Sequence, residues 1–361
     1  MRIMHFILKG RYSGAEILVR DLALHQKANG HEVGILALEP TEDDFIPIRN
    51  MLIDQGILWY EPLKSIRRIQ RILHVRKYSL LFQPSFVFAH SIIPAFYARS
   101  AWIIMPYLAI SVLHSANCQD YPKGDLIERF ISKRSSAIVG VNKDALEYYN
   151  KYIAINKNSL YIPNGVNIDN IFIAKEQRES VRTAYGIGLG TKIIIQVGRI
   201  DPVKGQAQTI KAFIRATELG CVNSQLWIIG IVQDAEYSEE CKKLAKNKPI
   251  HFLGGQSSVA NYLAAADLYV MPSKCEAMSV AFVEGLVSGL PIIANEIPSF
   301  REHSTQPGVK IINTNNINLY TESIAFELKN ARRYIRSIDH LSIQSCAHSY
   351  DKLIERLNAE R

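Results

Sequence analysis

The stretch Ser273-Lys-Cys-Glu276-Ala-Met-Ser-Val-Ala-Phe-Val-Glu284-Gly-Leu-Val-Ser-Gly289-Leu-Pro291 places two carboxylates on either side of seven mostly small or apolar residues. The preceding run, Asp267-Leu-Tyr-Val-Met-Pro272, is short, apolar and closed by proline, and reads as a buried strand. Residues 281–288 have helical composition, so Glu276 falls on the connecting loop and Glu284 near the first turns of the helix. The backbone N–H groups of 278–281 then lie at a helix start, where donors lack intrahelical acceptors. Such a start, with the positive end of the helix dipole, suits an anion such as a diphosphate. Carboxylates beside it can accept hydrogen bonds from a polyol. Taken alone, two glutamates on a strand-helix unit are more often simply solvated, so the rest of the chain has to carry the reading.

Strand patterns alternate with helical ones along the chain, which is the signature of βαβ units and parallel sheets. Residues 2–8 form a first strand pattern, 14–29 an amphipathic helix closed by Gly30, and 32–38 a second strand. This opening is Rossmann-like but has no G-x-G-x-x-G, which disfavours a nicotinamide or flavin dinucleotide. A second such opening begins at 192–198 and continues through a helix at 206–217 and a strand at 225–229. The 361 residues exceed what one compact core usually holds. The expectation is therefore α/β, with two Rossmann-like domains over 1–170 and 171–340 and a terminal helical segment over 341–361. The boundary falls within 164–191, where Gly165, Gly186, Gly188 and Gly190 surround a short charged helix at 175–184.

Hydrophobic content of 48% and charged content of 21% are ordinary for a soluble enzyme. The apolar stretches 3–8 and 102–113 are too short for a signal segment or a membrane span, so a cytoplasmic protein is expected. Cys118, Cys221, Cys241, Cys275 and Cys346 are odd in number and lack C-x-x-C spacing, which argues against a disulfide framework and a thiolate metal site. The formal net charge is +8. Basic residues gather at Arg67, Arg68, Arg71, Arg76 and Lys77, and again at Arg129, Lys133 and Arg134. The first group shares a helical pattern with Ile66, Ile69, Ile72 and Leu73, a composition that suits either an anionic membrane surface or a solvated helix face. No aromatic interleaving accompanies the charge, which disfavours nucleic acid as a partner.

Several segments together resemble the retaining GT-B glycosyltransferases of family 4, the E-x7-E type. Beside the Glu276 to Glu284 stretch, Val197-Gly198-Arg199-Ile-Asp-Pro-Val-Lys204-Gly205 is similar to that family's VGR-x-D-P-x-KG segment. Ile162-Pro163-Asn164-Gly165-Val166-Asn167 resembles its IPNGVD element, and Ser13-Gly14-Ala15-Glu16 its N-terminal GGAE loop. The resemblance implies a GT-B architecture, with parallel sheets facing across a cleft and the last helix crossing back to the first domain. It implies that Arg199 and Lys204 grip the donor diphosphate, that Glu284 binds the ribose hydroxyls, and that Glu276 holds the transferred sugar. The amides of Ala277, Met278, Ser279 and Val280, and the loop at Gly14, contact the donor by the same analogy. The segment 252–256 resembles the loop that holds the base. Ala277 and Ser279 stand where the family often has glycine, so the backbone there has less freedom.

In the first domain His90 and His114 each follow an apolar stretch. His114 matches the family position nearest the reacting sugar, whereas His90 reads as a structural histidine. The resemblance implies a hexosyl transfer from a nucleoside-diphosphate sugar, expected to be a UDP-sugar, to a glycan or lipid-linked glycan in bacterial surface polysaccharide biosynthesis. No cofactor is expected. The absence of D-x-D favours a reaction without a metal. A sugar-nucleotide epimerase of the same fold, or a binding module without turnover, are the alternative readings.

Overall fold

The computed structural model describes residues 1–101, 106–114, 125–188, 190–221 and 223–360. Cys118 and the first residues of the 102–113 stretch lie outside these. The described chain divides into two compact units, 1–166 with 340–361 and 167–339. The sequence-based divisions stood four residues later at the first crossing and one later at the second.

Unit 1 is built on a seven-stranded sheet of β1 (Arg2–Ile7), β2 (Glu32–Ala37), β3 (Leu58–Tyr60), β4 (Phe86–His90), β5 (Leu108–Leu113), β6 (Ala137–Gly140) and β7 (Ser159–Tyr161). The order is β3-β2-β1-β4-β5-β6-β7, with parallel pairing throughout. Central strands of a parallel sheet are covered on both faces and so read as unbroken apolar runs, which is why β4 is buried at every position. The terminal helix Ile343–Ala359 belongs to this unit: Tyr350 meets the edge of the Phe88 ring at 5.3 Å between centroids. Gly165 lets the chain close on that helix, because a Cβ there would stand 2.5 Å from the Ser342 carbonyl oxygen.

Unit 2 carries a six-stranded parallel sheet of β8 (Lys192–Val197), β9 (Ser224–Ile229), β10 (Ile250–Phe252), β11 (Leu268–Met271), β12 (Ile292–Asn295) and β13 (Val309–Ile312), in the order β10-β9-β8-β11-β12-β13. Its core joins Ile194, Leu226, Ile228, Leu268 and Val270 to Phe213 and Tyr320 from the covering helices. Full burial of one such side chain contributes about 1.5–3 kcal/mol.

Two local expectations are corrected. The single helix expected at 175–184 is two, Ile168–Glu176 and Arg178–Ala184, which meet at Gln177. The basic helix runs Arg68–Phe82 and turns Val75, Ser79 and Phe82 inward. Ile66 precedes it and Ile72 packs against the core, so only Ile69 and Leu73 of the four anticipated apolar residues are well exposed. Arg71 is paired with Glu39. No helix among the described residues is long and apolar enough to cross a membrane, and 108–113 is strand β5.

The ends of β8 and β9 approach so closely that a Cβ on Gly230 would stand 2.0 Å from the Gly198 carbonyl oxygen. Gly230→Ala is expected to cost about 2–4 kcal/mol. Gly186 also has positive φ, at +65°, but nothing lies within 4 Å of where its Cβ would be. Gly186→Ala should therefore cost only about 1 kcal/mol. Urea unfolding of the two variants checks the contrast.

Candidate active site

In unit 2 the strand order reverses between β8 and β11. Loops leaving the carboxyl ends of two such strands diverge, and α/β sheets take ligands at that point. The loop after β8 turns through Pro202–Lys204 because the Asp201 carboxylate accepts the Val203 N–H at 2.8 Å. The Gln196 side chain then donates to the Lys204 carbonyl, also at 2.8 Å. The loop after β11 is joined to it where the Lys274 N–H donates to the Val203 carbonyl at 2.8 Å. Gly205, at φ +71°, permits this approach, since its Cβ would lie 3.0 Å from the Pro272 carbonyl oxygen.

These backbone links bring together two side chains far apart in sequence. The Lys204 ammonium donates to Glu276 Oε1 at 2.5 Å, with the two side chains only 18% and 9% exposed. Glu284 sits in the second turn of the helix Val280–Ser288. Tyr269 of β11 is fully buried, with its ring against Gly285 and within the electrostatic reach of both carboxylates. Burial first, and then the neighbouring charges of Glu284 and Glu276, raise the Tyr269 phenol well above its ordinary value. Its hydroxyl has no hydrogen-bond partner among the described residues.

The departures from glycine at 277 and 279 are accommodated. Ser279 has an ordinary extended backbone, at φ −73°, and its hydroxyl accepts the Phe282 N–H at 3.3 Å as an N-cap. Ala277 to Val280 thus lead into the helix start as anticipated from composition, with Met278 and Val280 turned into the interior. Arg199 follows β8, but its guanidinium is directed to Gln233 Oε1 at 3.0 Å, in the loop after β9, and not to Glu276. The loop after β10 is held to the same edge by the Gly230 N–H, which donates to the Gly254 carbonyl at 2.8 Å.

In unit 1 the reversal falls between β1 and β4. Gly14 opens the helix Gly14–Ala28 after β1 and is exposed, while Ser13 donates to the buried Glu16 carboxylate. His90 closes β4 and His114 follows β5. The rings of His90 and His114 are linked at 3.0 Å, and His90 is linked in turn to His5 of β1 at 3.0 Å. Burial pushes His5 and His114 down to about 4, and His90 falls well below its ordinary value through burial and its two imidazole neighbours. All three rings are neutral at physiological pH.

Sequence reading alone missed Gln233, Tyr269, His5 and Gln26. The last two had a signal available: each is a polar residue on a face otherwise given to apolar side chains, inside β1 and on the inner side of the first helix. Tyr269 passes for an ordinary strand aromatic.

Residues 12–170 match the family model for Glycosyltransferase Family 4, and residues 177–338 match that for Glycosyl transferases group 1. Together the two take in most of the chain, which belongs to the family 4 glycosyltransferases of GT-B fold. It is similar to the lipopolysaccharide glucosyltransferase WaaG of Escherichia coli K12, at 23% identity over 47% of this chain and 46% of the relative. It also resembles the putative glycosyltransferase EpsF of Bacillus subtilis, at 24% identity over 82% of this chain and 79% of the relative. The chain spans about half the length of the first of these curated relatives. Among solved structures, Anabaena HepE in complex with UDP and glucose superposes with a TM-score of 0.77 at 14% identity, covering 99% of this chain and 100% of that one.

The buried neutral imidazole of His5 has a consequence for stability. A base whose folded value is depressed binds fewer protons folded than unfolded, so stability is complete above the unfolded value near 6.5 and is lost as pH falls toward about 4. His5 alone should remove roughly 3 kcal/mol across that window. Urea midpoints followed by circular dichroism at pH 7 and pH 4.5 check the sign: a midpoint higher at the lower pH contradicts it.

Proposed function

We propose that the protein is a retaining glycosyltransferase that moves a sugar from a nucleoside-diphosphate sugar, a UDP-sugar, to a hydroxyl of a glycan or lipid-linked glycan acceptor. The pathway it serves is surface polysaccharide assembly on the cytoplasmic side. The observation that carries this reading is the meeting of Lys204 and Glu276 at the strand-order reversal of unit 2, with Glu284 on the helix behind them. A cation beside a helix start faces a diphosphate, and carboxylates next to it accept from sugar and ribose hydroxyls.

In this reading the bond from the sugar C1 to the β-phosphate oxygen breaks while the acceptor oxygen bonds to C1 on the same face. The acceptor proton passes to the departing phosphate. Negative charge grows on that phosphate as the sugar leaves. Lys204 and Arg199 stabilise it more in the transition state than in the ground state, which is the condition for lowering the barrier. Cations held in this way do the work that a divalent ion does elsewhere, so turnover is expected to persist in a chelator. His114 stands on the acceptor side and contributes a neutral imidazole.

Glu284→Ala is expected to weaken binding of UDP by about 1.5–3 kcal/mol, since a charged acceptor for ribose hydroxyls is removed. Lys204→Ala should lower kcat on the order of 100-fold. Calorimetric titration with UDP and initial rates on a panel of UDP-sugars with polyprenyl-linked acceptors test both. Unchanged UDP affinity in Glu284→Ala, or full activity in Lys204→Ala, would overturn the assignments. An epimerised donor formed without acceptor would replace transfer by epimerisation.

The membrane reading is carried by Ile69 and Leu73, 71% and 61% exposed on the helix Arg68–Phe82 beside the exposed Arg68, Arg76 and Lys77. Basic side chains near an anionic surface gain about 1 kcal/mol each. Arg68→Glu with Lys77→Glu should abolish sedimentation with anionic vesicles at low salt and leave UDP affinity unaltered. Absence of vesicle binding by the wild-type protein ends this part of the proposal.

A further inference from the structure

Three imidazoles climb one face of the unit 1 sheet. β4 lies between β1 and β5, with His5 opposite Phe88 and His90 opposite Val112. His90 is two residues beyond Phe88, and His114 two beyond Val112. Side chains repeat on one face with a period of two, so each step moves diagonally toward the carboxyl edge without changing face. The rings follow one another with centroids 5.3 and 5.2 Å apart. At the inner end His5 Nε2 lies 2.8 Å from Oε1 of Gln26, on the first helix. His5 Nδ1 lies 3.0 Å from His90 Nε2, and His90 Nδ1 lies 3.0 Å from His114 Nε2. His5, His90 and Gln26 are 0%, 3% and 1% exposed, while His114 is partly exposed at the carboxyl edge.

A neutral imidazole has one N–H and one lone pair, so a row of N–H···N bonds must run in a single sense. Gln26 is set with Oε1 toward His5, where the oxygen accepts, and with its buried Nε2 left without a partner among the described residues. His5 therefore carries its proton on Nε2 and accepts at Nδ1 from His90, which accepts at its own Nδ1 from His114. His114 is left with its proton on Nε2 and a lone pair on Nδ1. Were the Gln26 amide turned to donate, every bond would reverse and His114 Nδ1 would hold the proton. The row ends on an amide, which neither takes up nor releases a proton at physiological pH, so it has no sink and does not serve as a proton wire.

We propose that Gln26, His5 and His90 are positioning residues that hold His114 in one tautomer, so that its Nδ1 accepts a hydrogen bond from a substrate hydroxyl. The functional half of this statement rests on the glycosyltransferase reading above; the tautomer half does not. An orphaned N–H in an apolar site is rarer and costlier than an orphaned lone pair, so loss of the Gln26 oxygen favours the reversed row.

The test is long-range 1H–15N NMR on the full chain labelled with 15N-histidine, at neutral pH. The wild type should show His5, His90 and His114 all protonated on Nε2. Gln26→Leu should move His114 toward protonation on Nδ1, and lower kcat roughly tenfold. UDP affinity, read separately as a property of unit 2, should stay unchanged. Gln26→Glu keeps an acceptor toward His5 and should restore the wild-type tautomer and most of the rate. A wild-type His114 protonated on Nδ1 overturns the proposal without any variant having to fold. So does Gln26→Leu with tautomer and kcat both as in the wild type. If no nucleotide sugar is turned over by any form while the tautomers behave as expected, the transferase reading fails and the control of His114 stands.

Discussion

Parallel pairing of the strands is the constraint on which the rest depends. A parallel pair cannot be joined by a tight turn, so each strand is followed by a crossover, and all the loops that leave strand ends emerge on one edge of the sheet. In unit 2 that edge receives Arg199, Lys204 and Glu276 on loops from β8 and β11, and Gln233 from β9. In unit 1 it receives Gly14, His90 and His114. The opposite edge of the unit 2 sheet does different work. There Asp267 accepts from the Ile193 N–H at 2.9 Å and from Arg178 at 2.9 Å, while Arg333 donates to the carbonyls of Leu263, Ala264, Ala266 and Ser288. Helix ends leave carbonyls without intrahelical donors, and these guanidinium groups satisfy them. One edge is thus committed to backbone satisfaction, and the other carries the charged loop residues of the candidate site.

Buried polar groups in the two units follow the same economy. Arg99 is fully buried and gives two hydrogen bonds to Glu128, at 2.6 and 2.9 Å, while Tyr149 donates to the same carboxylate at 2.6 Å and Arg99 also reaches the Ala95 carbonyl at 2.8 Å. Desolvating two charges costs several kcal/mol each, and only a network that satisfies the remaining donors and acceptors offsets it. A buried pair of this kind is weak evidence of net stability. The Lys204 to Glu276 pair joins two strand-end loops instead of two helices and is slightly more exposed, at 18% and 9%.

Much of this was written in local sequence. The runs that became β1, β8 and β11 are apolar segments bounded by turn residues, and such segments declare themselves within ten residues. The placement of Glu276 on a loop and Glu284 on a helix followed from the same local cues. Helix ends were less legible. The break at Gln177 has no proline or glycine to announce it, and the inward face of Arg68–Phe82 was decided by the strands it covers and by the attraction of Glu39 for Arg71.

What the sequence by itself determined is therefore the class of fold and the identity of the charged residues on the strand-end loops, because both depend on patterns with periods of two to four residues and on motifs of a dozen. What only the tertiary structure decided is which of those residues touch. Lys204 and Glu276 are 72 positions apart, and His5, His90 and His114 lie on or just after three strands that are neighbours only through the order β1-β4-β5. Strand order is set by how helices pack on a twisted sheet, a global balance of burial that no local run of residues encodes. Gln26 stands out locally as a polar residue on the apolar face of its helix, but only the sheet shows that an imidazole of β1 is its partner.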